Sequence, residues 1–421
     1  MSHAPPPFVT GFACLVCGAV SPYRNAFTCE SCGAAGILDV QYDYDRIASA
    51  LTPATLGTRQ HDHWRYRELL PVSPAVSLPP LQIGWTPVHE APRLAREIGI
   101  TRLFLKDDGR NPTASFKDRA SSVGVLKAIE FGFDTVACAS TGNAASSVAG
   151  LAAAVGLRSR IFVPDRAPDP KVTQLLIFGA VVFKVHGSYE QAFELCRQAC
   201  ARFGWYNRNS GTNPFLVEGK KTAGLEIAEQ FALSPSPSGR RLPDWVVVSV
   251  GDGCTIGGIG KGLQEMKRLG FVDRVPRLLG VQARGAQPVV EAFHSGRDLV
   301  PSGSDTLADS IAVGTPRNWR RAIAQVRASG GEMLAVDDDE ILDAMRLTAR
   351  LGGVFGEPAG VAGVAGLRRA REHSLISGAE TAVVVITGNG LKDIQSARQA
   401  AGAPIPLEPT IDALERAVAA I

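Results

Sequence analysis

Residues 106–119 read Lys-Asp-Asp-Gly-Arg-Asn-Pro-Thr-Ala-Ser-Phe-Lys-Asp-Arg, and they put one amine, that of Lys117, where a strand gives way to a helix. The run Leu103 to Lys106 predicts the strand and Asn111-Pro112 a turn, while Ala120, Val123, Leu126 and Ile129 recur at helical spacing just beyond. An ammonium partly desolvated at such a junction has a lowered pKa, and its free amine can attack a carbonyl. Lys117 is therefore a candidate to hold an aldehyde cofactor as a Schiff base. The plainer alternative is a solvated lysine at a helix start, where its charge would oppose the helix dipole.

Two further words suit an anion. Ser140-Thr141-Gly142-Asn143 lies where a strand ends and an Ala-rich helix begins, so hydroxyls and backbone amides converge outside the carboxyl end of a sheet. An ordinary N-cap would use the same residue types. Gly251-Asp252-Gly253-Cys254-Thr255-Ile-Gly-Gly-Ile-Gly-Lys-Gly262 follows the most apolar strand and leads into a helix, a layout in which backbone amides can wrap a phosphate. A dinucleotide loop is disfavoured because the G-x-G-x-x-G spacing fails at Ile256, and no Gly-Lys-Ser/Thr makes a Walker loop. Asp252 cannot favour a phosphate dianion directly. It is expected to cap backbone amides or point away, leaving Gly253, Cys254 and Thr255 as the better contacts.

Cys14-Leu-Val-Cys17-Gly and Cys29-Glu-Ser-Cys32-Gly are two knuckles, each offering two sulfurs to one ion, with Gly18 and Gly33 permitting the tight turns. Zinc in a tetrahedral thiolate site is the expectation. Disulfides or a vestigial site are the alternatives, and disulfides are disfavoured in a reducing cytoplasm. Cys138, Cys196, Cys200 and Cys254 make no such pattern and read as buried thiols.

The elements that must position these residues alternate from Leu81 onward. Expected strands are Thr135 to Ala139, Arg160 to Val163, Val181 to Val185, Trp245 to Val250, Arg277 to Val281 and Thr381 to Ile386. Between them the expected helices are Ala144 to Val155, Lys171 to Phe178, Tyr189 to Phe203 and Gly258 to Leu269. Continuous Val/Ile strands between amphipathic helices argue for an α/β fold with parallel sheets covered on both faces. Residues 43–80, rich in Pro and Leu with few periodic signals, read as a linker packed on the main body.

With 421 residues, 45% hydrophobic and 20% charged, the chain can bury one or two sizeable cores. A net charge of +3 gives no reason to expect nucleic acid. No apolar stretch is long enough to span a bilayer, and Met1 to Thr10 lacks the charged-then-apolar order of a signal peptide, so the expected address is the cytoplasm with no membrane partner.

Taken in order, these words resemble the threonine-synthase family of pyridoxal-phosphate (PLP) enzymes, the group called fold type II. There an Asn-Pro-Thr-Gly-Ser-Phe-Lys-Asp-Arg stretch carries the Schiff-base lysine, and Asn111 to Arg119 match it except that Ala114 replaces the Gly. Ser140 to Asn143 repeat the family's Ser-Thr-Gly-Asn; Thr387-Gly-Asn-Gly-Leu-Lys is similar to Leu-Thr-Gly-His-Gly-Leu-Lys without its first residue. The cradle departs from the usual Gly-Asn-Ala-Gly-Asn at Asp252, Cys254 and Thr255. Gly84-Trp-Thr-Pro87, Gly285-Ala-Gln-Pro288, Ile311-Ala-Val-Gly314 and Gly353-Val-Phe-Gly-Glu-Pro358 are weaker matches, and together the words span roughly residues 81–395.

The resemblance implies that Lys117, Asn143, Gly251 to Thr255 and Thr387 hold PLP, and that Ser140, Thr141 and Gly142 receive the substrate carboxylate. It implies a two-domain fold with parallel or mixed sheets flanked by helices, plus a small N-terminal zinc ribbon. The divisions are an arm and ribbon at 1–42, the linker at 43–80, a large PLP-binding domain at 81–119 with 206–421, and a small domain at 120–205. A homodimer is implied as well.

The implied reaction is elimination or replacement on an amino acid carrying a phosphate or similar leaving group, with Lys117 as general base and O-phosphohomoserine converted to threonine. The other readings are a β-replacement synthase similar to cysteate synthase, acting on O-phosphoserine; a threonine or serine ammonia-lyase; and a non-catalytic PLP-binding adaptor. In the family an arginine near Asn213-Pro214 binds the substrate phosphate. Here Leu216 occupies that place, with Lys220, Lys221 and Arg110 as possible substitutes. The ribbon's role stays open between packing on the large domain, covering the entrance and helping a dimer form.

Overall fold

The computed structural model describes residues 5–140, 142–165, 167, 169–187, 189–233 and 241–420. In chain order the strands are β1 (Val9–Cys14), β2 (Val20–Ser21), β3 (Leu38–Tyr42), β4 (Val88–Glu90), β5 (Arg102–Asp107), β6 (Thr135–Ala139), β7 (Arg158–Pro164), β8 (Val181–Val185), β9 (Tyr206–Asn207), β10 (Trp245–Ser249), β11 (Arg277–Ala283), β12 (Glu332–Val336) and β13 (Thr381–Ile386). They form three sheets. The N-terminal one is antiparallel in the order β2-β1-β3. The largest runs β12-β11-β10-β13-β5-β4, parallel except where β4 meets β5, and a four-stranded parallel sheet runs β8-β7-β6-β9.

The expected α/β class follows from the strands themselves. β6 and β10 are buried at every position, and β5 and β13 at all but the first, which suits sheets covered on both faces. β3 instead alternates, with Leu38, Val40 and Tyr42 buried and Asp39 and Gln41 turned the other way. The smaller sheet takes in β9, just past the division expected at 205/206.

The segment 43–80 is more regular than a linker. Helices span Tyr44–Ala50 and Pro53–Gly57, and a 3-10 helix spans His63–Leu69. Their signals are caps rather than periodicity. Asp43 caps the first; Thr52 and Thr55 form a capping box on the second, with Pro53 at its first position. The 3-10 segment is anchored by Arg65, whose guanidinium pairs with Glu229 at 2.7 Å.

Glu229 belongs to helix Phe215–Ala232, which is buried from Phe215 to Phe231 although it carries Glu218, Lys220, Lys221, Glu226 and Glu229. Each carboxylate has partners from elsewhere in the fold. Tyr42 donates to Glu218 at 2.8 Å, Lys106 and Arg119 pair with Glu226 at 2.7 and 2.5 Å, and Lys221 bridges Glu218 and Glu265 at 2.7 and 2.9 Å. Buried ions persist only with such pairing. No helix among the described residues is long and apolar enough to cross a membrane.

Candidate active site

Because β5, β13 and β10 are parallel neighbours, the loops after them leave the same edge of the large sheet. The loop after β5 is built by its own side chains. Asn111 accepts from the Gly84 amide at 2.9 Å, Asp118 accepts from the Thr113 amide and hydroxyl at 2.7 and 2.6 Å, and buried Arg119 pairs with Asp108 at 2.6 Å. It is then stitched to the loop after β13. The Phe116 amide donates to the Thr387 carbonyl at 2.8 Å, the Asn389 amide donates to the Ala114 carbonyl at 3.1 Å, and Ser115 bridges Gly388. Lys117 thus follows directly on a residue tied to Thr387. Ala114 holds φ at 63°, a left-handed conformation costing a side chain roughly 1–2 kcal/mol and glycine almost nothing. This is the physical reason a Gly suits that place.

A cavity of about 610 Å³ opens at this edge. Lys117 and Thr387 line it, as do Ser140, Gly142 and Asn143 from the small sheet's edge. Gly251, Asp252, Gly253, Cys254 and Thr255 line it from the end of β10. Thr141 lies outside the described residues. Burial, together with the nearby cations Lys220 and Arg208, lowers the Lys117 pKa to about 8, so a free amine is present near neutral pH.

The cradle fits a phosphate. Helix Cys254–Arg268 starts at Gly253, whose φ is 89°, and the first amides of a helix have no partner within it. Asp252 caps the backbone of a distant segment, with Oδ1 accepting from the Arg317 amide at 2.6 Å. The Cys254 Sγ lies 3.3 Å from both the Ser210 carbonyl oxygen and Asp252 Oδ2, and burial pushes its pKa up to about 11, so it remains a thiol. The Ser249 hydroxyl lines the cavity, buried and without a partner. Open amides, an orphan hydroxyl and a lysine of lowered pKa are what a phosphorylated aldehyde requires.

Three residues at the cavity escaped sequence reading as site residues. Glu357 accepts from the Asn143 side-chain amide at 2.6 Å, and burial raises its pKa. It sits in the Gly353 to Pro358 word, which carried no role. Arg208, fully buried, donates to Ser121 at 2.7 Å and to Ser210 at 2.9 Å, and no local pattern marks it. The Arg317 guanidinium lies 4.1 Å over the Phe193 ring.

The comparison at Leu216 takes a different meaning in three dimensions. Leu216 is fully buried, its methyl 2.7 Å from where a Cβ on Gly124 would lie, and it does not line the cavity. Lys221 is committed to Glu218 and Glu265, and Arg110 is exposed away from the cavity. Lys220 alone of the three substitutes lines it.

In the N-terminal sheet the sulfurs of Cys14, Cys17, Cys29 and Cys32 all lie within 4.8 Å of one another. Gly36 lets the knuckles close, since a Cβ there would come within 2.5 Å of the Cys32 Cβ and 2.8 Å of that of Cys29. Four thiol ligands with no open position suit a structural ion.

Residues 80–388 match the family model described as pyridoxal-phosphate dependent enzyme. The chain is 37% identical over 407 residues to a threonine synthase of Methanocaldococcus jannaschii, covering 96% of this chain and 98% of that one. A threonine synthase of Methanosarcina acetivorans is 39% identical over 409 residues, with the same coverage. Among solved structures, maize serine racemase superposes with a TM-score of 0.64 at 22% identity, over 75% of this chain and 91% of that one, a likeness of fold.

Proposed function

From the premise that the chain belongs to the pyridoxal-phosphate-dependent enzyme family, as a lyase similar to threonine synthases, we propose that it converts O-phosphohomoserine and water to threonine and phosphate. One observation carries this reading. Lys117, Asn143, the cradle Gly251 to Thr255 and Thr387, separated by up to 270 residues, face one cavity that also holds Lys220 and Arg208. Lys117, Asn143, Gly251, Asp252, Gly253, Cys254, Thr255 and Thr387 would hold PLP. When bound, PLP supplies an electron sink for charge developing on the substrate.

The chain's own groups account for the rest. Lys117 Nζ, kept partly neutral, takes the proton from the substrate's α carbon and, as an ammonium, returns a proton later. Ser140, Thr141 and Gly142 receive the substrate carboxylate at the start of helix Asn143–Val155. Glu357 holds the Asn143 side chain in place. Lys220 and Arg208 supply positive potential for a leaving phosphate; burial pushes the Lys220 pKa down, and an anionic guest would restore its charge.

We read the four-cysteine cluster as a zinc site, and we take the homodimer from the family resemblance; elemental analysis and sedimentation test these two readings. The function itself is tested by incubating PLP-loaded protein with O-phosphohomoserine, O-phosphoserine and O-phosphothreonine side by side. Phosphate and threonine from the first alone are expected. Turnover only of a β-substituted substrate would move the protein to the β-replacement synthases or ammonia-lyases, and cofactor absorbance with turnover of none of the three would leave a non-catalytic PLP-binding adaptor.

A further inference from the structure

The N-terminal sheet reaches the cradle through the half-buried Asp39 and the buried Lys261, Arg321 and Asn318. Register pairs Leu38 with Cys14 and Asp39 with Ala13, so Asp39 stands one pair away from a sulfur ligand. Asp39 Oδ1 accepts from Lys261 Nζ at 3.0 Å and from Arg321 Nη1. Lys261 belongs to helix Cys254–Arg268, whose N-terminus is the cradle, and it also donates to the Val40 carbonyl at 2.8 Å.

Arg321, on helix Trp319–Ala328, goes further. It donates to the Leu38 carbonyl at 3.1 Å and to the Asn318 side-chain oxygen at 3.4 Å. Its methylenes fill the space beside Gly257 in the cradle helix's first turn, where a Cβ would lie 2.8 Å from them. Asn318 in turn clamps the cradle. Its amide donates to the Asp252 carbonyl at 3.0 Å, its side chain donates to the Gly211 carbonyl at 3.1 Å, and its own carbonyl leaves no room for a Cβ on Gly253, which would come within 2.6 Å. Arg321 is 4% exposed and Asn318 1%, so beyond the half-buried Asp39 the path is shielded from water.

Gly251 and Gly253 bring no side chains to fix the loop's shape; the neighbouring segment imposes it. Amides already aimed at an anion bind it without paying to reorganise. We propose that Asp39 is a positioning residue for the cofactor's phosphate, so that the four-cysteine sheet sets the cradle through Arg321 and Asn318. This rests on the reading that the cradle receives the phosphate of PLP.

The test compares binding of PLP and of pyridoxal, which has the same ring and aldehyde without the phosphate, to the cofactor-free protein. The wild type should prefer PLP, and equal affinities would overturn the cradle reading itself. Given that preference, Asp39→Asn is expected to weaken PLP by roughly threefold to thirtyfold and leave pyridoxal unchanged. Unchanged PLP affinity, or an equal loss for both ligands, overturns the proposal. Arg321→Met keeps Asp39 paired with Lys261 and is expected to reproduce the selective loss; should Asp39→Asn not fold by circular dichroism, wild-type PLP affinity in Arg321→Met overturns the proposal on its own.

Discussion

Lys117 carries most of the proposed chemistry, and its setting makes it testable. Lys117→Ala should abolish the absorbance of bound cofactor and cut phosphate release by roughly a hundredfold to ten-thousandfold, the span expected for removing a positioned base; unchanged absorbance would remove Lys117 from the assignment. With a pKa of about 8, the amine should also set how fast cofactor-free protein takes up PLP. The deprotonated fraction grows about tenfold per pH unit below that value and saturates above it, so loading followed by absorbance should climb to about pH 8 and then level off. A climb continuing toward the ordinary lysine value, near 10.4, would mean that burial and the cations Lys220 and Arg208 do not act on it. Lys117 and Asn143 were legible as cavity residues because each sits where a strand gives way to a helix, and Thr387 was legible only through the family resemblance of its word. Glu357, Arg208 and Arg317 were not. Their place at the cavity arises from segments meeting in space, and a lone charged residue carries no periodic signal.

Among the elements, helix Phe215–Ala232 is where sequence reading gave least. Hydrophobic periodicity finds helices with one wet face, and this one is buried all round with its charges matched by Tyr42, Arg65, Lys106 and Arg119 from distant parts of the chain. The strands Thr135–Ala139 and Thr381–Ile386 were, by contrast, plain as apolar runs after an opening threonine, and Val181–Val185 as one interrupted by Lys184; the structure gives all three those bounds. The charged helix invites a direct measurement. Glu226→Gln leaves Lys106 and Arg119 buried with one charge fewer between them, and unfolding in urea should show a loss of about 3–5 kcal/mol, the usual result of removing one partner of a buried ion cluster. A loss below about 1 kcal/mol, as for exposed pairs, would mean that water reaches the site.

For the whole molecule, acidity is a lever on stability. His63 is fully buried, and burial with the neighbouring Arg119 lowers its pKa to about 3. Between the unfolded value of about 6.5 and that lower value the unfolded chain binds a proton that the native one refuses, so stability falls as pH falls through this window. His63→Gln should flatten the dependence of urea midpoint on pH between about 6 and 4; an equal slope in both proteins would place the effect elsewhere. The order of the large sheet bears on how the chain is made. β5, which leads to Lys117, hydrogen-bonds on its inner side to β13, the last strand, which leads to Thr387. Ribosomes deliver the chain from its N-terminus, so the edge of β5 waits unpaired through the synthesis of every residue between them. A product that stopped before Thr381 would carry the lysine and the cradle yet lack the strand that joins them. Lys117 and Thr387 therefore come together only after translation has passed the last strand.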